Sequence, residues 1–138
     1  MDFGEFEGKN YIELQKNPNY QAWIDSNGTL PFPGGESREE FKRRNVTGFQ
    51  KAVNGCLRNG ISLAALVVHG GTIMAVLSSL TGVEYFDFQV KNGEGYETVL
   101  EWIQGSWKIT SLTKIGCEDS KSEHLQSIRN CLLYTSDA

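Results

Sequence analysis

Residues 66–77 read LVVHGGTIMAVL: an apolar run, a histidine, two glycines, a threonine, then apolar residues at helical spacing. An imidazole at the end of a buried strand can hold an anion, move a proton or attack phosphorus. Gly70 and Gly71 keep side chains away from the corner and permit positive φ. A helix starting beside them presents N–H groups with no partner in a preceding turn, at the positive end of the helix dipole. In open α/β sheets, ligands sit beyond the carboxyl ends of the strands. Together these residue types predict an oxyanion site on His69, Gly70 and Gly71. The plain alternative is that His69 ends a strand and hydrogen-bonds to a loop carbonyl. His124 lies in a polar stretch and reads as a solvated side chain.

Other chemistries lack their residues. The chain contains no G-x-x-x-x-G-K-[ST], G-x-S-x-G, H-E-x-x-H or C-x-x-C. Cys56, Cys117 and Cys131 are odd in number and far apart, which suits neither a disulfide framework nor a zinc site. An acyl transferase using His69 as base needs a nucleophile beside it. Cys56 reads as core, however, and Cys117 as loop. PGGES at 33–37 is compatible with a phosphate-approaching loop, yet a loop feeding a capped helix explains it fully. Arg38, Arg43, Arg44 and Arg58 fall on or just after a helix and read as a solvated face.

The chain has 138 residues, enough for one domain with one core. Hydrophobic residues make up 39%, charged residues 22%, and the net charge is −4, an ordinary globular composition. No basic stripe with interleaved aromatics is present, which argues against a nucleic-acid partner. No apolar run approaches a membrane span. The opening MDFGEFEG is acidic, unlike a signal peptide, and with unpaired cysteines the expected location is cytoplasmic. Nothing in the sequence selects an oligomeric state.

The elements that would position the histidine follow from patterning. Gly8 to Lys16 is a helix candidate that should stop near Asn17, because Pro18 disfavours helix in the residue before it. DSNGTLPFPGG (25–35) reads as loop. Ser37 and Glu40 match a capping box, predicting a helix to about Leu57 with Phe49, Ala52, Val53 and Cys56 as its apolar stripe and Asn59-Gly60 as its stop. SLAALVV (62–68) reads as a strand buried on both faces. Thr72 to Leu80 follows as a helix with Gly82 as its stop. VEYFDFQV is extended or mixed, and NGEG (92–95) is a turn. YETVLEWI and SWKITSLTKI alternate like an antiparallel pair about Gln104-Gly105. Asp119 to Asn130 is at best a polar amphipathic helix. This order predicts an α/β fold with a mainly parallel sheet and an antiparallel edge. A parallel neighbour for residues 62–68 is missing from the sequence before them, so the sheet is expected to lack an N-terminal strand.

Taken together, DFGEFEGKNYIEL, PGGES with its long helix, LVVHGGTI and NGEGYETVLEW resemble, in order, the landmarks of the histidine phosphatase superfamily, which includes phosphoglycerate mutases and α-ribazole phosphatases. The resemblance covers nearly all of residues 1–115. It implies a three-layer sandwich, helices flanking a mainly parallel sheet, and phosphoryl transfer through a phosphohistidine, with no metal or cofactor. In this family a histidine of an Arg-His-Gly motif attacks the phosphate, a second histidine and arginines hold the phosphoryl oxygens, and a glutamate protonates the leaving oxygen. By this match His69 is the second, phosphate-binding histidine, with Gly70 and Gly71 beside it, and the partner is a small phosphorylated metabolite. Phosphatase is favoured over mutase because the compact His-Gly-Gly-Thr form is more like the small bacterial phosphatases.

The departures are as informative. No Arg-His-Gly occurs in the chain, and no glutamate stands at the general-acid position; Glu5 and Glu7 lie after it. Met74 stands where many relatives carry arginine. Residues 1–130 are therefore expected to be a partial domain, with Met1 an internal methionine and the chain itself inactive. CLLYTSDA (131–138) reads as translated transposase-adapter DNA, since TGT-CTC-TTA-TAC-ACA-TCT-GAC-GCT would encode it. The competing expectation is a non-catalytic short form that binds phosphate or a partner.

Overall fold

The computed structural model describes residues 1–116 and the backbone of 131–135. The chain divides into two compact units, Met1–Arg44 and Asn45–Ala138.

In the first unit, a 3₁₀ turn at Gly4–Phe6 precedes α1 (Tyr11–Leu14) and α2 (Pro18–Asp25). The helix expected over Gly8 to Lys16 is confined to α1, where Asn10 accepts from the N–H groups of Ile12 and Glu13 while Glu13 accepts from the Asn10 N–H. Pro18 ends that pattern and also opens α2. It occupies the first turn, where no N–H is needed, and the Asn17 side chain caps Asn19. Phe6, Leu14 and Phe32 are buried with Tyr20 and Trp23 packed against them.

Two stretches far apart in sequence meet here. The Glu5 N–H donates to the Pro33 carbonyl at 2.8 Å, and the Glu36 N–H donates to the Asp2 carbonyl at 3.0 Å. The DFG and PGG backbones touch, so a Cβ on Gly4 would run into the Pro33 carbonyl and one on Gly35 into Asp2 and Gly4. That explains the glycines at both positions.

α3 (Arg38–Arg58) begins in the first unit and continues into the second. Its expected capping box is present: the Glu40 N–H donates to Ser37 Oγ at 3.1 Å and the Ser37 N–H to Glu40 Oε2 at 2.9 Å. Asn59-Gly60 stops it, with Gly60 at φ +69°. In the second unit follow β1 (Ala64–Val68), α4 (Gly70–Thr81), a 3₁₀ turn at Tyr85–Phe88, the hairpin β2 (Gly95–Ile103) and β3 (Ser106–Ile115), and β4 (Cys131–Thr135). Gln104 and Gly105, at φ 51° and 81°, make the two-residue hairpin turn that the alternation predicted. Phe49, Ile73, Val76, Leu77, Phe88 and Tyr96 form the core, joined by Leu66, Val68 and Leu100 from the sheet.

The sheet corrects two expectations and adds one strand. Its order is β1-β4-β2-β3. Only β1 and β4 pair parallel; β4–β2 and β2–β3 are antiparallel, so the sheet is mixed rather than mainly parallel. The parallel neighbour that β1 lacks upstream is supplied from downstream by Cys131–Thr135. This strand falls in the segment whose residues read as translated adapter DNA. An apolar, β-rich segment nevertheless adds to open strand edges whatever its origin. Finally, β1 is not buried on both faces. Leu66 and Val68 enter the core while Val67 is 67% exposed. A run of apolar residues hides this alternation, because periodicity cannot be read where every position is hydrophobic. The helix considered at Asp119–Asn130, with His124, lies outside the described residues, as does Cys117.

The crowded backbone yields a test. Gly8 also has positive φ, but a Cβ there meets nothing. Gly8→Ala should cost about 1 kcal/mol from its conformation alone. Gly4→Ala adds a backbone clash and should cost on the order of 3 kcal/mol. Urea unfolding followed by circular dichroism compares the two; equal losses would mean the DFG–PGG contact does not hold the first unit together.

Candidate active site

β1 delivers His69 to its carboxyl end, and α4 starts at the next residue. His69 is the N-cap, extended at φ −74° and ψ 153°, and its side chain makes no capping bond to the helix. Its carbonyl instead accepts the Thr72 N–H at 2.9 Å and the Ile73 N–H at 3.3 Å. That closes the first helical turn with backbone alone, and His69 itself is an exposed residue.

Gly70 and Gly71 are the first two residues of α4. Neither takes the positive φ that glycine permits. Their use is therefore the absence of side chains beside N–H groups that have no carbonyl one turn earlier. The three residues assigned from sequence are contiguous at this corner, with the helix's partial positive charge behind them. α4 is held in place by Ile73, Val76 and Leu77, each 0% exposed. It ends as expected at Gly82, φ +73°. Met74 is half-buried and packed against the core.

Sequence reasoning passed over Tyr85. Its hydroxyl donates to the Gly71 carbonyl at 3.4 Å. The signal was present in VEYFDFQV, whose mixed pattern suited neither a strand nor a long helix. The 3₁₀ turn at Tyr85–Phe88 is anchored by buried Phe88 against Tyr96, ring centroids 5.7 Å apart.

The arginines are not uniformly a solvated face. Arg44 grips Glu36 with two bonds, Nε to Oε1 at 2.9 Å and Nη2 to Oε2 at 3.1 Å. Arg38 donates to the Asn27 and Gly28 carbonyls at 3.3 and 3.2 Å. Within PGGES, then, Glu36 serves as an ion-pair partner, and Ser37 as a cap. The Arg44 guanidinium holds the Glu36 carboxyl below its ordinary value, against a smaller opposing effect of burial.

No group of three or more His, Cys, Asp or Glu side chains suited to a metal ion exists among the described residues. Nor is any helix among them long and apolar enough to cross a membrane. An apolar groove of about 500 Å³ lies at the other end of β1, lined by Cys56, Leu57, Ile61, Leu63, Trp102 and Trp107 among others. Ser62 and Glu101 are the polar side chains among its described lining, and His69 is not part of it.

Residues 1–115 match the sequence model of the histidine phosphatase superfamily (branch 1). The chain belongs to that superfamily. The chain is similar to a protein named "Putative phosphoserine phosphatase 2" from Hydrogenobacter thermophilus, 33% identical over 86 residues, which is 60% of this chain and 40% of that protein. The chain thus spans less than half the length of the curated relative it matches. No solved structure matches it.

The Glu36–Arg44 pair predicts a pH effect. A carboxyl whose folded value is lowered stabilises the fold above its ordinary value of about 4.3 and loses that contribution as pH falls through the lowered one. Carbon-13 NMR of the Glu36 carboxyl should show a midpoint below the ordinary value. The Arg44→Gln variant should bring it back up. An unchanged midpoint in the variant would assign the shift to something other than the guanidinium.

Proposed function

We propose that the parent of this chain is a phosphomonoester hydrolase working through a phosphohistidine, and that His69 holds the phosphoryl group in it. The observation that carries this reading is the place of His69: an exposed histidine at the N-cap of α4, followed directly by the side-chain-free Gly70 and Gly71 that open the helix, in a family-matched domain. In the reaction, a histidine nitrogen forms a bond to phosphorus as the ester P–O bond breaks. The departing oxygen takes a proton from an acid, and water then cleaves the P–N bond to release phosphate. His69 and the helix terminus stabilise charge on the phosphoryl oxygens throughout.

The reading favours a phosphatase of the small α-ribazole phosphatase-like kind over a mutase, and the name of the Hydrogenobacter relative supports the phosphatase part of that preference alone. Phosphoserine, the substrate in that relative's name, is the first compound to try. The intact domain, in this reading, is the three-layer sandwich of its family. No metal or cofactor takes part.

Residues 1–138 carry no Arg-His-Gly. We therefore propose that this polypeptide binds an oxyanion without turning it over, because residues acting as one unit leave no proportional remnant when some are missing.

Isothermal titration with inorganic phosphate at low ionic strength should detect binding to the 138-residue chain. The His69→Ala variant should bind at least about tenfold more weakly. Phosphoserine and p-nitrophenyl phosphate should both survive incubation. Turnover sensitive to His69→Ala would refute the proposed inactivity, and equal phosphate affinity in both chains would refute the site.

A further inference from the structure

We infer that Tyr85 is a positioning residue for the oxyanion corner, acting through the Gly71 carbonyl. The inference rests on the reading of His69, Gly70 and Gly71 as a phosphate site.

The Tyr85 hydroxyl reaches back across 14 residues to the first turn of α4. The carbonyl it meets already lies in position to accept the helical bond from residue 75, so the phenol adds a second donor to an oxygen with two lone pairs. That second bond is not needed to form the helix. What it does is tie the first turn, which carries the side-chain-free N–H groups, to a separate element. Gly70 and Gly71 have no side chains of their own to fix that turn, and glycine is the residue with most backbone freedom to lose. Without an outside tether, the N–H groups that face the anion would be held only through His69 and the rest of α4.

The tether has a firm base. Tyr85 is half-buried and belongs to the same short turn as Phe88, which is 5% exposed against Tyr96 in the core. Phe86, edge-on to the Tyr85 ring at 5.2 Å, limits the ring's swing. A phenylalanine at position 85 would keep these ring contacts and lose only the hydroxyl. At 3.4 Å the bond is long for O–H···O, as hydrogen bonds around an unliganded site often are.

The experiment compares wild type, Tyr85→Phe and His69→Ala in the 138-residue chain. Inorganic phosphate is titrated by calorimetry. The Gly71 amide is followed by nitrogen-15 NMR, and the melting temperature is recorded. Tyr85→Phe should weaken phosphate binding by about threefold to tenfold, the range for one neutral hydrogen bond. It should also shrink the phosphate-induced shift of the Gly71 amide while leaving the melting temperature within about one degree of wild type. If His69→Ala weakens binding and Tyr85→Phe does not, the tether is refuted and the phosphate corner stands. If Tyr85→Phe instead lowers the melting temperature by several degrees, or fails to fold, the hydroxyl is structural and the inference falls. If His69→Ala leaves binding unchanged, the corner itself is refuted and the inference falls with it.

Discussion

The second unit is organised by the burial of α4. Ile73, Val76 and Leu77 are sealed from solvent, and each contributes roughly 1.5–3 kcal/mol of apolar burial. Once those three side chains are fixed against β1 and the hairpin, the helix has no freedom to rotate or slide. Its first turn must then meet the end of β1 at one residue, and that residue is His69. His69 sits exposed at the rim, while the helix that follows it is committed to the core from Ile73 onward. A helix less completely buried would leave the corner poorly defined, and a side chain at position 70 or 71 would stand beside its leading N–H groups.

This junction was legible in the sequence because several independent patterns agree there. A short apolar run, two glycines and a helical apolar period place a strand end and a helix start within three residues. The capping box at Ser37 and Glu40 and the Gln104-Gly105 turn were legible for the same reason: local chemistry alone determines them. What escaped was non-local. An all-apolar strand cannot show which of its faces is covered, so Val67 was misplaced. Strand order depends on partners far along the chain, so the place of Cys131–Thr135 between β1 and β2 could not be foreseen. Proline's two roles also competed at Pro18: its effect on the preceding residue was visible, but its fitness for the first turn of α2 was not weighed. Tyr85 was missed because its role depends on a contact 14 residues away rather than on spacing.

The first unit reaches order by a different route. It has few buried aliphatic residues and relies on ring packing and backbone-to-backbone contact. Phe32 meets Phe3 and Trp23 with centroids 5.1 Å apart in each case, and Tyr20 stacks on Trp23 at 6.5 Å. The two family landmarks DFGEFEG and PGGES look separate in sequence. They are one structural feature, since Gly4 and Gly35 let their main chains touch and Glu36 binds back to Asp2. The residues between them, among them Leu14, Tyr20 and Trp23, fill the aromatic cluster beside that contact.

The three tryptophans are distributed unevenly between the units, and that distribution gives the chain built-in optical labels. Trp23 lies in the aromatic stack of the first unit, and its indole N–H is buried without an acceptor. Trp102 and Trp107 face each other edge-on across the hairpin of the second, Trp102 being 56% exposed and the Trp107 indole donating to Asn54 at 2.9 Å. An indole with no polar partner emits further to the blue than one in water. The emission spectrum is consequently a sum of separable components, one per unit, and replacing the hairpin pair with phenylalanine isolates the signal of residues 1–44.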